Sequence, residues 1–293
     1  MVTRNMNNAI PSQLDKLSTA EKSRTIGAVA FDMDGLMLNT EDLYEQVGYT
    51  LMQRRGKRYG DEVRKKMIGL PARQAFGILI EEEGLSESWQ ELQQEAEKIF
   101  ETILPTQLAT MHGLIDLLDY LDELGLRRCV ATSSTQSFAR KALAQVGILD
   151  RVDFVITAED VSEGKPNPEI YLTAARKMSV PVENMLVLED SSTGTKAGVS
   201  AGAFVVSVPN EHTKLGCFEG CQWIANTLLD ERIYELLLGS SSQPVHQALW
   251  SADVFRFLAN RSSAFESRLE SPRPIRRLQC TLKQLPRTTG DVA

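Results

Sequence analysis

The stretch FDMDGLMLNTE, residues 31–41, places Asp32 and Asp34 one residue apart where an apolar run gives way to a polar turn. The run that leads into it, GAVAFD (27–32), is short and apolar, which is typical of a strand buried on both faces of a parallel sheet. In such sheets ligands bind beyond the carboxyl ends of the strands. The stretch therefore indicates both a fold and the place of a site.

Four further apolar runs alternate with helical patterns along the chain. One of these patterns, LIDLLDYLDEL (114–124), carries an apolar stripe and stops at Gly125, a common helix terminator. Strands that alternate with helices predict an α/β fold with a doubly wound, Rossmann-like parallel sheet. The four further predicted strands are 127–133, 153–157, 185–190 and 203–208.

The interval between the first two strands is far longer than the other crossovers, which predicts an inserted unit. Apolar positions recur there at helical spacing after a capping box formed by Ser88 and Glu91. We therefore predict an inserted helical cap domain at 41–107. The α/β core is predicted at 26–40 and 108–238, with a last helix over 222–238.

Both ends of the chain differ in composition from this body. Residues 1–25 form a polar N-terminal tail without an apolar signal segment, and 239–293 are predicted to be a largely disordered, basic C-terminal tail. The whole chain has 32 basic and 39 acidic residues and a net charge of −7, which argues against nucleic acid or an anionic membrane as partner. We expect a soluble, cytoplasmic monomer.

The four cysteines are too few and too scattered for a disulfide framework. His212, Cys217 and Cys221 could be drawn as metal ligands, because the two cysteines are four residues apart and would share a helical face. The ordinary explanation, half-buried cysteines on a packed helix, is the one we favour.

Polar side chains follow each of the first four predicted strands or their loops. Crowded carboxylates raise one another's pKa unless a cation neutralises them, and Mg²⁺ is a hard cation that takes carboxylates together with substrate phosphate. A lysine and a hydroxyl opposite that ion suit the oxygens of a phosphoryl group. Beyond Asp32 and Asp34, these side chains are Thr132, Ser133, Lys165, Glu189 and Asp190.

The spacing of the two aspartates gives them different tasks in a phosphoryl-transfer site. Asp32, directly at the strand end, is the predicted nucleophile and forms an aspartyl phosphate. Asp34, past the turn that Gly35 permits, is the predicted general acid and then general base. Each motif alone is often only a turn, a cap or a loop, but their order at successive strand ends favours a common site.

These motifs resemble those of the haloacid dehalogenase superfamily, in its branch of small phosphatases and β-phosphoglucomutase-like enzymes with a helical, C1-type cap. The resemblance covers 26–238 and is carried by DMDGLMLNTE, VATSS, GKPNPE and LVLEDSSTG. It implies that Mg²⁺ is held by the Asp32 carboxylate, the Asp34 main-chain carbonyl and Asp190, with Glu189 just outside these ligands. It also implies phosphate binding by Thr132, the Ser133 main chain and Lys165.

The chain departs from the pattern of this branch at three positions. Asn39 replaces an aspartate that has no catalytic part in this scheme, and His112 replaces a proline. Tyr44 stands where β-phosphoglucomutases carry a histidine, which weakens a mutase interpretation. Tyr44 and Arg73 are the residues of the predicted cap in which we look for specificity, and Gly194 is expected to be structural.

The predicted function is that of a Mg²⁺-dependent phosphomonoesterase for small phosphate esters such as sugar phosphates or nucleoside monophosphates. A sugar phosphomutase that uses the same aspartyl phosphate is the alternative. A non-enzymatic aspartyl-phosphate switch is more remote, because an acid–base residue two positions after the nucleophile favours turnover.

Overall fold

The computed structural model of the protein describes residues 25–67 and 72–239. All of them belong to one compact unit, and a second unit, Gln243–Ala293, lies outside the described residues. The predicted tails 1–25 and 239–293 therefore fall almost wholly outside the description. No helix among the described residues has the length and apolar character needed to cross a bilayer.

A parallel sheet of six strands forms the centre of the described unit. Its strand order, β3-β2-β1-β4-β5-β6, is the Rossmann order, and the predicted doubly wound α/β fold is confirmed. The strands are β1 (Ala28–Phe31), β2 (Arg127–Ala131), β3 (Phe154–Ile156), β4 (Met185–Glu189), β5 (Phe204–Ser207) and β6 (Trp223–Ile224).

The register of the central strands brings the predicted site residues to one edge of the sheet. Phe31, the last residue of β1, is paired with Val130 of β2 on one side and with Leu188 of β4 on the other. The residues that follow these three strands therefore emerge next to one another, because the strands are parallel and in step.

Helices cover the sheet and fill the interval between β1 and β2. Buried side chains from two helices, Glu169–Met178 and Ser192–Ala201, pack on the sheet together with Ala30, Cys129 and Val187. The described helices are α1 (Thr40–Arg54), α2 (Asp61–Met67), α3 (Ala72–Glu83), α4 (Trp89–Gln107), α5 (Leu114–Leu124), α6 (Gln136–Gln145), α7 (Glu169–Met178), α8 (Ser192–Ala201) and α9 (Glu231–Leu238).

Helices α1 to α4, which we call the inserted helices, share a hydrophobic cluster of their own. Leu51, Leu79 and Ile99 are among its buried members. The predicted capping box is confirmed at the start of α4, where Ser88 and Glu91 satisfy each other's backbone N–H groups. The division of the chain into a core domain and a cap domain stays a prediction.

Asn39 joins the two chain segments that lead into and out of the inserted helices. Its side-chain amide donates to the carbonyl oxygen of Gln107 at 3.2 Å, and its Oδ1 accepts from the backbone N–H of Ala109 at 2.8 Å. Its backbone N–H also donates to the carbonyl of Ala109. The asparagine that departs from the family pattern thus has a bonding role at this junction.

The predicted helix over 222–238 is wrong in its first half. Trp223 and Ile224 form β6, which pairs with Val206 and Ser207 of β5, and the helix begins only at Glu231. Ile224, predicted on the apolar face, is 52% exposed. Pairing with the open edge of the sheet satisfies the backbone of this short apolar segment, and periodicity alone did not reveal that pairing.

The predicted packed helix around Cys217 and Cys221 is also wrong. Both residues lie in a turn-rich segment without helix, where Cys217 is exposed and Cys221 is half-buried. Among the described residues, the group of side chains that could hold a metal ion contains neither cysteine. The alternative metal site with His212 therefore has no geometric support in the described part of the chain.

Candidate active site

Asp32 follows β1 directly and is almost completely buried. Its Oδ1 accepts a hydrogen bond of 2.5 Å from the ammonium of Lys165, which arrives from the loop after β3. Only 9% of the Asp32 side chain and 4% of the Lys165 side chain are exposed. A buried carboxylate paired with a buried ammonium is costly to assemble, so the pair marks a position where charge is needed.

Lys165 also joins Asp32 to Glu189 at the end of β4. Its Nζ donates to Oε1 of Glu189 at 2.6 Å and to the carbonyl of Ala131 at 2.9 Å. Burial acts to lower the pKa of Lys165, but Asp32 and Glu189 raise that pKa overall well above its ordinary value. The lysine therefore stays charged over the whole physiological pH range.

Glu189 is fully buried and its carboxylate is held from both sides. The hydroxyl of Tyr171 donates to Oε1 at 2.9 Å, and Ser191 donates to Oε2 from its backbone N–H and its hydroxyl. Because both oxygens are occupied, Glu189 is suited to orient Lys165 rather than to bind a ligand by itself.

Three carboxylates, those of Asp32, Glu189 and Asp190, can bring one oxygen each to within 4.8 Å of one another. Burial raises the pKa of Asp32 well above its usual value; Lys165 opposes this, and Glu189 and Asp34 add to it. Burial likewise raises the pKa of Asp190, followed by the charges of Asp32 and Glu189. One lysine does not neutralise this group, so the carboxylates of Asp32 and Asp190, with the charge of Glu189 beside them, fit a hard divalent cation such as Mg²⁺.

Asp34 presents one bonded and one unbonded carboxylate oxygen. Its Oδ2 accepts hydrogen bonds of 2.8 Å from the hydroxyls of Thr132 and Ser134, while its buried Oδ1 has no partner among the described residues. The backbone N–H of Ser134 donates in turn to the hydroxyl of Thr132. Two neutral donors thus fix the rotamer of Asp34 and leave Oδ1 available for proton transfer.

Two glycines permit the close approach of these groups. A Cβ on Gly35, whose φ is +82°, would lie 2.5 Å from Oδ2 of Asp190. A Cβ on Gly194, in the first turn of α8, would lie 1.6 Å from Oε1 of Glu189. Gly194 is therefore structural, as predicted, because any larger side chain would displace the acid that orients Lys165.

The remaining predicted residues are less closely joined to this cluster. Ser133 is exposed next to Thr132 at the end of β2. Tyr44 stacks on Phe100 and exposes 46% of its surface, and its pKa is raised by burial and then by the charges of Asp34 and Glu41. Arg73 is exposed in the first turn of α3, and the contacts of the described residues do not bring it to the site.

Three residues of the site were missed by sequence reasoning. Ser134 and Tyr171 contact Asp34 and Glu189, respectively, and Asn210 donates to Oδ2 of Asp190 at 2.8 Å. Asn210 carries a usable signal, because it follows β5 just as the predicted residues follow the other strands. The tyrosine lies inside the helix α7 and has no such signal.

His212 connects the loop after β5 to the inserted helices. Arg64 of α2 donates to its Nδ1 at 3.2 Å, so Nε2 carries the hydrogen and donates to Asp42 of α1 at 2.7 Å. Arg64 is also paired with Glu45 at 2.7 Å. His212, considered above as one ligand of an alternative metal site that we do not favour, is therefore a contact between the loop after β5 and the inserted helices.

Comparison with known families agrees with this geometry. The sequence pattern of the family described as "Haloacid dehalogenase-like hydrolase" matches residues 29–208, which include all of β1 but its first residue, every predicted site residue and β5. The chain belongs to this family. The predicted family resemblance is thereby confirmed.

Relatives from several organisms carry related activities. The "Phosphorylated carbohydrates phosphatase" of Thermotoga maritima is 29% identical over 60% of this chain and 81% of its own length. The "(DL)-glycerol-3-phosphatase 2" of Arabidopsis thaliana is 31% identical over 70% of this chain and 89% of its own length. A solved structure of a family IA HAD hydrolase from Entamoeba histolytica is 25% identical, has a TM-score of 0.63 and covers 72% of this chain and 98% of its own. The predicted enzyme class, a hydrolase of phosphate monoesters, is confirmed at this level.

Proposed function

We propose that this haloacid dehalogenase-like hydrolase is a Mg²⁺-dependent phosphomonoesterase for small phosphorylated metabolites, either sugar phosphates or nucleoside monophosphates. The observation that carries the proposal is the buried carboxylate of Asp32, which pairs with the ammonium of Lys165 and forms one cluster with the carboxylates of Glu189 and Asp190. Phosphatase relatives that act on phosphorylated carbohydrates and glycerol phosphate support the substrate class.

In the first step an Asp32 oxygen attacks the phosphorus of the ester. The bond from phosphorus to the leaving oxygen breaks, and Asp34 gives its proton to that oxygen, so that an alcohol leaves. Oδ1 of Asp34 is the atom for this transfer, because Thr132 and Ser134 occupy the other oxygen. Lys165 stabilises the phosphoryl oxygens by its charge.

In the second step a water molecule attacks the phosphorus of the aspartyl phosphate. Asp34, now ionised, takes a proton from this water, the bond from phosphorus to Asp32 breaks, and inorganic phosphate leaves. The starting protonation states of both aspartates are then restored. Asp34 thus acts as acid and base in turn without any further titratable group.

Mg²⁺ would be held by the Asp32 carboxylate, the main-chain carbonyl of Asp34 and Asp190. When bound, it supplies positive charge that balances the crowded carboxylates and the phosphoryl oxygens. Glu189 remains bonded to Lys165, Tyr171 and Ser191, and it positions the lysine instead of binding the ion.

We further propose that the inserted helices act as the cap over this site and contribute to specificity through Tyr44. Exclusion of water by a cap would protect the aspartyl phosphate until the leaving alcohol has departed. The role of Arg73 in specificity stays a proposal that rests on the sequence alone. The net charge of −7 supports a small phosphate ester, rather than nucleic acid or a membrane, as partner of a monomeric, cytoplasmic enzyme.

The test is phosphate release from p-nitrophenyl phosphate and from a panel of sugar, nucleoside and polyol monophosphates, with Mg²⁺ or with EDTA. Asp32→Asn removes the nucleophile, and Asp150→Asn, at an exposed aspartate in the turn after α6, is the matched control. We expect release that needs Mg²⁺, is lost in Asp32→Asn and is unchanged in Asp150→Asn.

Absence of phosphate release by the folded protein would overturn the phosphatase proposal. If a hexose phosphate is converted to its isomer while free phosphate does not accumulate, the mutase alternative is correct despite Tyr44. A stable acyl phosphate without turnover would indicate the phosphorylation switch.

A further inference from the structure

We propose that Asn210, in the turn after β5, is a positioning residue that holds the Asp190 carboxylate and the Gly35 peptide in the arrangement needed for metal binding. The inference rests on the proposed function, because Asp190 and the Asp34 carbonyl are metal ligands only within it. It adds a residue from the turn after the fifth strand to a site whose other residues follow the first four strands.

The amide of Asn210 contacts both sides of the proposed metal position. Its Nδ2 donates to Oδ2 of Asp190 at 2.8 Å and to the carbonyl of Gly35 at 3.0 Å. The described residues provide no other hydrogen bond to the Asp190 carboxylate. A carboxylate that is hydrogen-bonded through one oxygen can bind a cation through the other. Hydrogen-bond donors that contact a metal ligand, but not the metal itself, orient that ligand.

Gly35 also depends on this contact. The peptide that carries its carbonyl directly follows that of Asp34, so a donor on the Gly35 carbonyl fixes the turn from which the Asp34 carbonyl emerges. A Cβ on Gly35 would lie 2.6 Å from Nδ2 of Asn210. Asn210 and the absence of a side chain at Gly35 are therefore parts of one close-packed arrangement.

The turn itself holds Asn210 rigidly. Its Oδ1 accepts from the backbone N–H groups of His212 and Thr213 at 2.8 and 3.2 Å, and its own N–H donates to the hydroxyl of Thr213 at 3.0 Å. This is the local pattern for which asparagine is favoured in turns. The oxygen of the amide thus caps the turn while its nitrogen faces the site.

This division of labour within one side chain allows the two roles to be separated. Asn210→Ser keeps an oxygen that caps the turn but is too short to reach Asp190. Thr213→Val removes one bond of the turn and leaves the Asn210 amide in place. Asn210 and Asn226 line one cavity of about 520 Å³, and Asn226→Ala, which removes an exposed amide from it, serves as the surface control.

The experiment is titration of the metal-free full-length proteins with Mg²⁺ by calorimetry, together with the Tm of each metal-free protein. We expect Asn210→Ser to raise the Kd for Mg²⁺ roughly tenfold or more, since loss of such outer partners commonly has this effect. We expect its metal-free Tm to stay near that of the unmodified protein and the Kd of both control variants to be unchanged. Asn210→Thr, which also keeps a capping hydroxyl too short to reach Asp190, carries the same test if Asn210→Ser does not fold.

An unchanged Kd in Asn210→Ser would overturn the positioning role, and so would an equal rise of Kd in Thr213→Val, which would assign the effect to the turn. If the unmodified protein itself binds no Mg²⁺, the proposed metal dependence is wrong, and the positioning role of Asn210 is overturned with it. The failure of the proposed function and the failure of this inference are thus distinguishable, because binding is measured without turnover.

Discussion

At the strand ends, Lys165 and Asp32 form an ion pair with 4% and 9% of their side chains exposed, whereas Lys66 and Glu82 on the inserted helices pair with 52% and 43% exposed. The distances are nearly equal, at 2.5 and 2.6 Å. Water screens the second pair and not the first, so equal geometry carries very different energies. The pair at the strand ends is thus buried charge, while the Lys66–Glu82 pair of the inserted helices lies at the surface.

The two regions also differ in how they are stabilised. The inserted helices rely on a continuous apolar cluster and on the capping box at Ser88. At the strand ends, the raised pKa of Asp32 and Asp190 indicates that these groups resist ionisation in the metal-free protein. We infer that the strand ends reduce the stability of the fold and that the apolar clusters offset this cost.

Removal of the lysine from each ion pair should give the largest contrast. Lys165→Ala leaves the carboxylates of Asp32 and Glu189 buried without a cation, so we expect a loss of about 3–5 kcal/mol in the free energy of unfolding. We also expect phosphatase activity to fall by at least about 100-fold. Lys66→Ala, measured in the same urea titration and activity assay, should change neither quantity beyond experimental error, and a similar effect of both variants would contradict the contrast.

Replacement of a helical glycine by alanine should change the free energy of unfolding in opposite directions in the two regions. Gly194→Ala forces a Cβ against Glu189, so we expect a loss of about 1–3 kcal/mol in stability together with reduced activity. A Cβ added at Gly77 of α3 would meet no heavy atom of the described residues within 4 Å, apart from those of its own helix and its chain neighbours. Gly77→Ala should therefore raise stability by about 0.5–1 kcal/mol and leave activity unchanged.

Both glycine variants can be measured by urea unfolding and by steady-state kinetics. A stabilised, fully active Gly194→Ala would show that Glu189 moves without consequence and would remove its role in orienting Lys165. A destabilised Gly77→Ala would show that α3 has a tighter environment than the described residues indicate.

Stability of the metal-free protein should depend on pH through the strand ends. Asp32 and Asp190 have raised pKa values when folded, so as pH rises the unfolded chain loses these protons first. The favourable contribution of these two groups to the free energy of unfolding is complete below the ordinary pKa of aspartate. It is lost as the pH rises towards the pKa values of the folded state. Mg²⁺ needs the ionised carboxylates, so it should raise the Tm more at about pH 8 than at about pH 5.

The measurement is a thermal unfolding series with Mg²⁺ and with EDTA at both pH values. A saturating excess of Mg²⁺, about 100 times its Kd, corresponds to about 2.7 kcal/mol of stabilisation. In Asp190→Asn this pH-dependent difference should largely disappear. A shift of the Tm that is equal at both pH values would contradict the assignment of these two carboxylates.

Much of the site could be predicted because its residues stand at strand ends. Lys165 and Glu189 were predicted from their motifs, and the structure joins them at 2.6 Å. Asn210 was missed although the strand before it was predicted, because only the first four strand ends were considered. Tyr171 could not be predicted, since a helical tyrosine gives no sign that its hydroxyl will meet a buried carboxylate.

The errors in the fold have a similar cause. Trp223 and Ile224 fit a helical pattern as well as a strand, and only the open edge of β5 selects the strand. The turn-rich segment with Cys217 lacks a periodic signal altogether, and the four-residue spacing of Cys217 and Cys221 does not by itself specify a helix. Short segments at the edge of a sheet are decided by their partners rather than by their own pattern.

The sequence by itself determined that β1 to β5 form a parallel sheet with acids, hydroxyls and a lysine at one edge. Buried strands need apolar residues on both faces, and parallel connections bring all carboxyl ends to the same side. Only the tertiary structure decided that the hydroxyls of Thr132 and Ser134 donate hydrogen bonds to one oxygen of Asp34, although Thr132 is 98 residues away from Asp34 in the chain. The same holds for the hydrogen bond from Asn210 to Asp190. Those contacts depend on turn geometry and on side-chain rotamers that are selected by packing, because no local pattern encodes a bond between residues so distant in the chain.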